Sequence, residues 1–147
     1  AEPRSPLVRT DRLDHIHLYA LDRPAAVRWY ADVLGLTPYG PWREEDPPDE
    51  HPVFLATASG TFCVSIFVGE RPEGGDRTVA FHADGPAFIA FAQALPDPRI
   101  PAYNGAPLTA DGRHDYGMAI TLNMLDPAGN HVELVTYDTG MVREALS

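Results

Sequence analysis

A single cysteine, Cys63, stands in the 147-residue chain, so no intrachain disulfide can form. It lies inside the apolar run 62–68, which marks it as a packing residue and not a nucleophile. Positive charge is scarce: 11 basic side chains face 21 acidic ones, a formal net charge of −10. Such a surface offers nothing to neutralise phosphates, which excludes nucleic acid as the expected partner. No apolar stretch approaches the roughly 20 residues of a membrane-spanning helix, so no membrane partner is expected. The opening Ala1-Glu2-Pro3-Arg4 has no apolar signal core, and the expected location is the cytoplasm. Ordinary hydrophobic (44%) and charged (22%) fractions, with 15 scattered prolines, exclude wholesale disorder and leave room for one compact domain.

What is present is a pattern that runs twice. Arg12 to Tyr19 alternates as a strand, with His15, His17 and Tyr19 on one face and Asp14, Ile16 and Leu18 on the other. Asp22 then precedes Pro24 as an N-cap, and a helix is expected from Ala25 to Leu34, ended by Gly35. Strands are expected over Thr37–Arg43, Val53–Ala58 and Phe62–Val68, the last two as a hairpin across Ser59-Gly60. After the Gly-rich turn Glu73-Gly74-Gly75-Asp76 the order repeats: a strand over Thr78–His82, the cap Asp84 with Pro86, and a helix from about Ala87 to Leu95. Pro96 to Arg113 reads as a long loop with at most one short strand. Strands follow over Tyr116–Leu125 and His131–Tyr137, around the turn Asp126-Pro127-Ala128-Gly129-Asn130. Laying Gly60–Ile66 over Gly129–Val135 sets Val64 against Glu133, and the strand starts set His15 near Thr78. Two βαβββ modules are expected, at about 12–68 and 77–137.

Leu13-Asp14-His15-Ile16, the helix end Trp29-Tyr30-Ala31-Asp32-Val33-Leu34-Gly35-Leu36, Val79-Ala80-Phe81, and Asp126 through Leu134 together resemble the vicinal oxygen chelate superfamily of glyoxalases, bleomycin resistance proteins and extradiol dioxygenases. The resemblance runs from Arg12 to Tyr137. It implies an α+β fold of two βαβββ modules forming one curved mixed sheet around a polar pocket, in a chain that works as a homodimer whose site is sometimes built across two chains. It also implies metal-ligand positions at His15, Val64, Thr78 and Glu133, of which only His15 and Glu133 are ligating side chains. His17 shares a face with His15, and His131 shares one with Glu133, so a cluster of these four suits Zn, Fe, Mn or Ni. His82 shares the face of Thr78 but lies about 13 Å along the strand, so it does not replace it.

Metal is expected at His15, Glu133 and His131, and catalytic roles at His17, His82, Tyr116 and Asn123. His17 or His82 would move a proton, Tyr116 stands near a pocket histidine of some relatives, and Asn123 stands where extradiol relatives carry a pocket tyrosine. The implied function is metal-assisted isomerase, epimerase or lyase chemistry on an oxygenated small molecule, ranked above dioxygenation because of Asn123. The alternative is a metal-free protein that sequesters a drug or metabolite, with His15 and Glu133 a hydrogen-bonded pair lining the pocket. Trp29, Tyr30, Phe88 and Phe91 recur at helical spacing and are expected to pack helices on the sheet. His51, His114 and the acidic run Glu44–Glu50 read as solvated loop.

Overall fold

The computed structural model describes residues 5–6, 12–40, 47–71 and 77–147. The order is β1 (Ile16–Ala20), α1 (Arg23–Leu34), β2 (Thr37–Pro38), β3 (Val53–Ala56), β4 (Phe62–Val68), β5 (Thr78–His82), α2 (Gly85–Gln93), β6 (His114–Asp115), β7 (Ile120–Leu125), β8 (His131–Thr136) and α3 (Thr139–Leu146). The strands form two four-stranded mixed sheets, ordered β1-β4-β3-β2 and β5-β8-β7-β6. In each, the first strand runs parallel to the last and the rest is antiparallel. The architecture is α+β, and neither sheet closes.

This is the expected α+β fold of paired βαβββ modules, its strands divided between two sheets: among the described residues no strand of one is hydrogen-bonded to a strand of the other. Side chains make the join instead. The Tyr30 hydroxyl on α1 donates to Asp126 Oδ2 at 2.8 Å, the Trp29 indole donates to the Arg99 carbonyl at 2.7 Å, and Asn130 Nδ2 donates to the Tyr19 carbonyl on β1 at 3.2 Å. Tyr19 thus spends its carbonyl on a side chain at the sheet edge, where a neighbouring strand would otherwise pair.

Both helices start as their sequences dictate. Asp22 and Asp84 accept from Ala25 N–H (3.1 Å) and Ala87 N–H (2.9 Å), each with a proline in the first turn. Gly35 ends α1 at φ 70°, a left-handed conformation that glycine adopts without a Cβ clash. The helices cover one face of each sheet, and Leu18, Tyr30, Val64, Ile66, Phe88, Leu122, Val132 and Leu134 belong to one continuous apolar cluster. Trp29, Tyr30 and Phe88 are buried and Phe91 is partly so, as helix-on-sheet packing requires.

Strand β1 begins at Ile16 and not at Arg12, and Tyr116 lies outside the strand that begins at Ile120. The short β6 and the C-terminal α3 are additions to the elements read from the sequence. Residues 41–43 of the expected second strand, 44–46 of the acidic run and the Gly-rich turn at 73–76 lie outside the described residues.

Candidate functional site

Alternation along β1 sends Ile16, Leu18 and Ala20 into the core and leaves His17 exposed on the helix-free face. His15, one step before the ladder starts, falls on the same side, and its Nε2 lies 3.0 Å from Nε2 of His17. The other nitrogen, Nδ1, lies 2.7 Å from Asp14 Oδ2, and Arg12 approaches the second oxygen of that carboxylate at 3.1 Å. The hydrogen bond from His15, with help from the Arg12 charge, holds the Asp14 carboxyl below its ordinary value. A carboxylate only accepts, so neutral His15 carries its proton on Nδ1 and turns the lone pair of Nε2 toward His17. Phe62 stacks on His15 and Phe67 tilts against His17, each at 4.8 Å between ring centroids.

The second sheet presents its own polar face. Glu133 on β8 sits between Ala80 on β5 and Asn123 on β7, and Thr78 sits beside His131. Val132, Leu134 and Thr136 turn into the core, which places His131 and Glu133 on the open side. His131 is stacked on Tyr103 at 4.0 Å and 18°, so the loop after Ile100 leans against this end of the sheet. There a cavity of about 310 Å³ is lined by Tyr103, Thr109, His114 and Asn123, among others, and the buried Asn123 Oδ1 has no hydrogen-bond partner among the described residues. His82 is exposed and stacks with Tyr137 at 5.7 Å, beside a second cleft lined by Leu34, Phe81 and Phe91. Tyr116 is 64% exposed, and its ring meets that of His114 at 6.1 Å.

The register of the fourth position differs from expectation. β3 and β4 pair as Leu55 with Val64 and then Ala56 with Phe62, so Cys63 is an extra residue on β4. No such shift interrupts β7 and β8. A one-residue bulge turns every later side chain to the opposite face. Val64 is therefore fully buried under α1 and its place opposite Glu133 in the repeat passes to Ser65, whose Cα partner on β1 is His17. Ser65 Oγ is buried without a hydrogen-bond partner among the described residues.

The expected cluster of His15, His17, His131 and Glu133 does not assemble within one chain: among the described residues no group of three or more His, Cys, Asp or Glu is placed to hold a metal ion. The reason is topological, since two of the four belong to one sheet and two to the other. The donors themselves suit a borderline divalent cation, as two imidazole nitrogens already point at one another and Glu133 adds a carboxylate elsewhere. Ser65, Asp14 and Tyr103 were not among the residues singled out from sequence. Asp14 was masked by strand parity, which assigns neighbours to opposite faces; because the ladder starts at Ile16, that alternation does not bind it.

Residues 12–134 match the family model described as the glyoxalase/bleomycin resistance protein/dioxygenase superfamily. Among solved structures, the chain is similar to an integron cassette protein from the mobile metagenome of a Halifax Harbour sewage outfall, at 14% identity over 86% of this chain and 99% of that one, TM-score 0.61. It is also similar to lactoylglutathione lyase from Agrobacterium tumefaciens, at 20% identity over 88% and 96%, TM-score 0.58. The fosfomycin resistance protein FosX from Mesorhizobium loti aligns at 18% identity over 95% and 100%, TM-score 0.58. Comparison with curated proteins gives no match. At these identities the structural likeness establishes the fold.

Proposed function

The chain belongs to the glyoxalase/bleomycin resistance protein/dioxygenase superfamily, and from that premise we propose that it is an enzyme acting on an oxygenated small molecule through redox-neutral isomerase, epimerase or lyase chemistry. We place the site across a homodimer, with His15 of one subunit meeting Glu133 of the partner subunit. The observation that carries this reading is the division of donors: an imidazole pair on the open face of one sheet and a carboxylate on the open face of the other, with no complete set within a chain among the described residues. Superfamily members commonly use divalent metals and commonly form dimers.

Held by His15 and Glu133, such a cation supplies Lewis acidity to a substrate oxygen. Asn123 is the residue to orient the substrate, because its buried Oδ1 is an acceptor in need of a donor and its strand neighbour is Glu133. His82, exposed on the same face as Glu133, is the group to take up and return a proton. Tyr116, exposed at the start of the β7 hairpin, is assigned to the rim.

The experiment is complementation. His15→Ala and Glu133→Gln proteins are each expected to lose the cation, measured by elemental analysis. Refolded together they form heterodimers with one intact site in two, so cation content recovers to about a quarter of wild type at equal mixing. A mixture that recovers none shows that the two residues do not meet across subunits. The hydroxyl side chains at Ser65 and Thr78 favour a second reading, a metal-free binding protein, and it prevails if the wild-type dimer neither retains nor takes up a cation.

A further inference from the structure

We infer that His17 supplies the second imidazole of the cation site, in place of the threonine at position 78, and that Asp14 is the positioning residue that keeps His15 in its ligating form. This rests on the reading of the chain as a cation-using enzyme, and it moves His17 from proton transfer to ligation.

The geometry carries it. Two nitrogens bound to one cation at about 2.0–2.1 Å, at angles between octahedral and tetrahedral, lie about 2.9–3.4 Å apart. The two Nε2 atoms here are 3.0 Å apart. Their convergence follows from sequence: residues two apart in extended chain share a face, and the rings of Phe62 and Phe67 hold the imidazoles in place. Asp14 accepts the hydrogen bond from Nδ1–H at 2.7 Å, which leaves Nε2 of His15 with its lone pair, the arrangement by which carboxylates orient metal-binding histidines. Without a cation, only one proton lies between the two Nε2 atoms, so the pair already occupies the distance that ligation requires.

Among the described residues no second pair of facing imidazoles stands on the other sheet: Thr78 and Ala80 occupy the open face of β5, His131 beside Thr78 is stacked on Tyr103, and His82, the next side chain on the β5 face, is stacked on Tyr137. His17 is exposed, so the remaining coordination positions stay open to water, to substrate oxygens and to a carboxylate from a second copy. Two nitrogen donors select a borderline transition cation such as Zn(II), Co(II), Ni(II) or Fe(II) over Mg(II) or Ca(II).

The test uses the full chain freed of metal by a chelator and titrated with Co(II), read by the visible ligand-field bands and by equilibrium dialysis. Asp14→Asn should weaken Co(II) binding about 10- to 100-fold, as loss of an orienting carboxylate does. His15→Ala and His17→Ala should each weaken it further and alter the bands, and Thr78→Ala should leave both readouts unchanged. His17→Gln, which keeps the bulk of the side chain, should behave as His17→Ala, with folding checked by circular dichroism. If wild type binds Co(II) and the His17 variants bind it equally with unaltered bands, or if Thr78→Ala weakens it, this assignment is overturned while the cation-using reading stands. If wild type binds no Co(II), both fall.

Discussion

Tyr30 is the residue on which the two sheets meet. Its hydroxyl is fully buried and donates to Asp126, whose other contacts come from Ala128 N–H, Asn130 N–H and the Asn130 side-chain amide. Burial, then the Asp126 charge, pushes the phenol well above its ordinary value, so it stays protonated and a donor throughout the neutral range. Tyr30→Phe removes one hydrogen bond to a charged acceptor and should cost about 1.5–3 kcal/mol in urea unfolding near neutral pH. At this scale the sequence was informative about direction and silent about distance. Period-two alternation put His15 and His17 on one side and His131 and Glu133 on another, but two nitrogens at 3.0 Å are a matter of rotamers, which no pattern encodes. Tyr30 was legible as a packing residue, whereas its partner, 96 positions away, was not.

The elements themselves were written in local signals. Aspartate caps and early prolines give both helix starts, and Gly60 and Gly129, at φ 89° and 84°, mark the two matching turns before β4 and β8. The bulge at Cys63 was not readable, because alternation within 62–68 is uniformly apolar up to Val64 and offers no polar residue to betray a slip. Its presence makes a prediction: Val64→Glu drives its carboxylate into the apolar core under α1, whereas Ser65→Glu, though Ser65 is itself buried, directs it to the face of His17. Val64→Glu should cost about 1–3 kcal/mol more than Ser65→Glu in thermal or urea unfolding. Equal costs would mean that the register runs straight. Helix α3 went unread for a different reason, its anchorage being distant: Arg143 donates to both oxygens of Asp115 at 2.6 and 2.7 Å and to the Gly117 carbonyl, and Arg113 reaches the Leu146 carbonyl. The bonds from Arg143 hold Asp115 down at about 2. A depressed carboxyl contributes above its unfolded value of about 3.9 and loses that contribution as pH falls through its folded one. Signals of α3 followed by NMR should therefore stay native at pH 4 and begin to change as pH approaches 2, and Asp115→Asn should show the changed state at neutral pH.

For the molecule as a whole, the duplication was legible because both βαβββ passes carry the same punctuation; the way the two sheets abut was not, because it depends on single side chains and not on a period. On the proposed reading, the open faces that carry the imidazoles and the carboxylate divide the site, and catalysis would become a property of the pair of subunits. The junction of Tyr19, Trp29 and Tyr30 with Arg99, Asp126 and Asn130 has a further consequence, for the order in which the protein can mature. A nascent chain emerges from its N-terminus, and the first sheet and its helix are complete before Arg99 has been added. Until Arg99 and then Asp126 have been added, the indole and the phenol of α1 lack these acceptors, and about half of the buried apolar cluster, from Phe88 onward, belongs to the second module. The first half therefore waits on the ribosome as an unfinished surface, exposed to chaperones and to its own copies, and the commitment to fold is made late, when the turn at Asp126 closes over it.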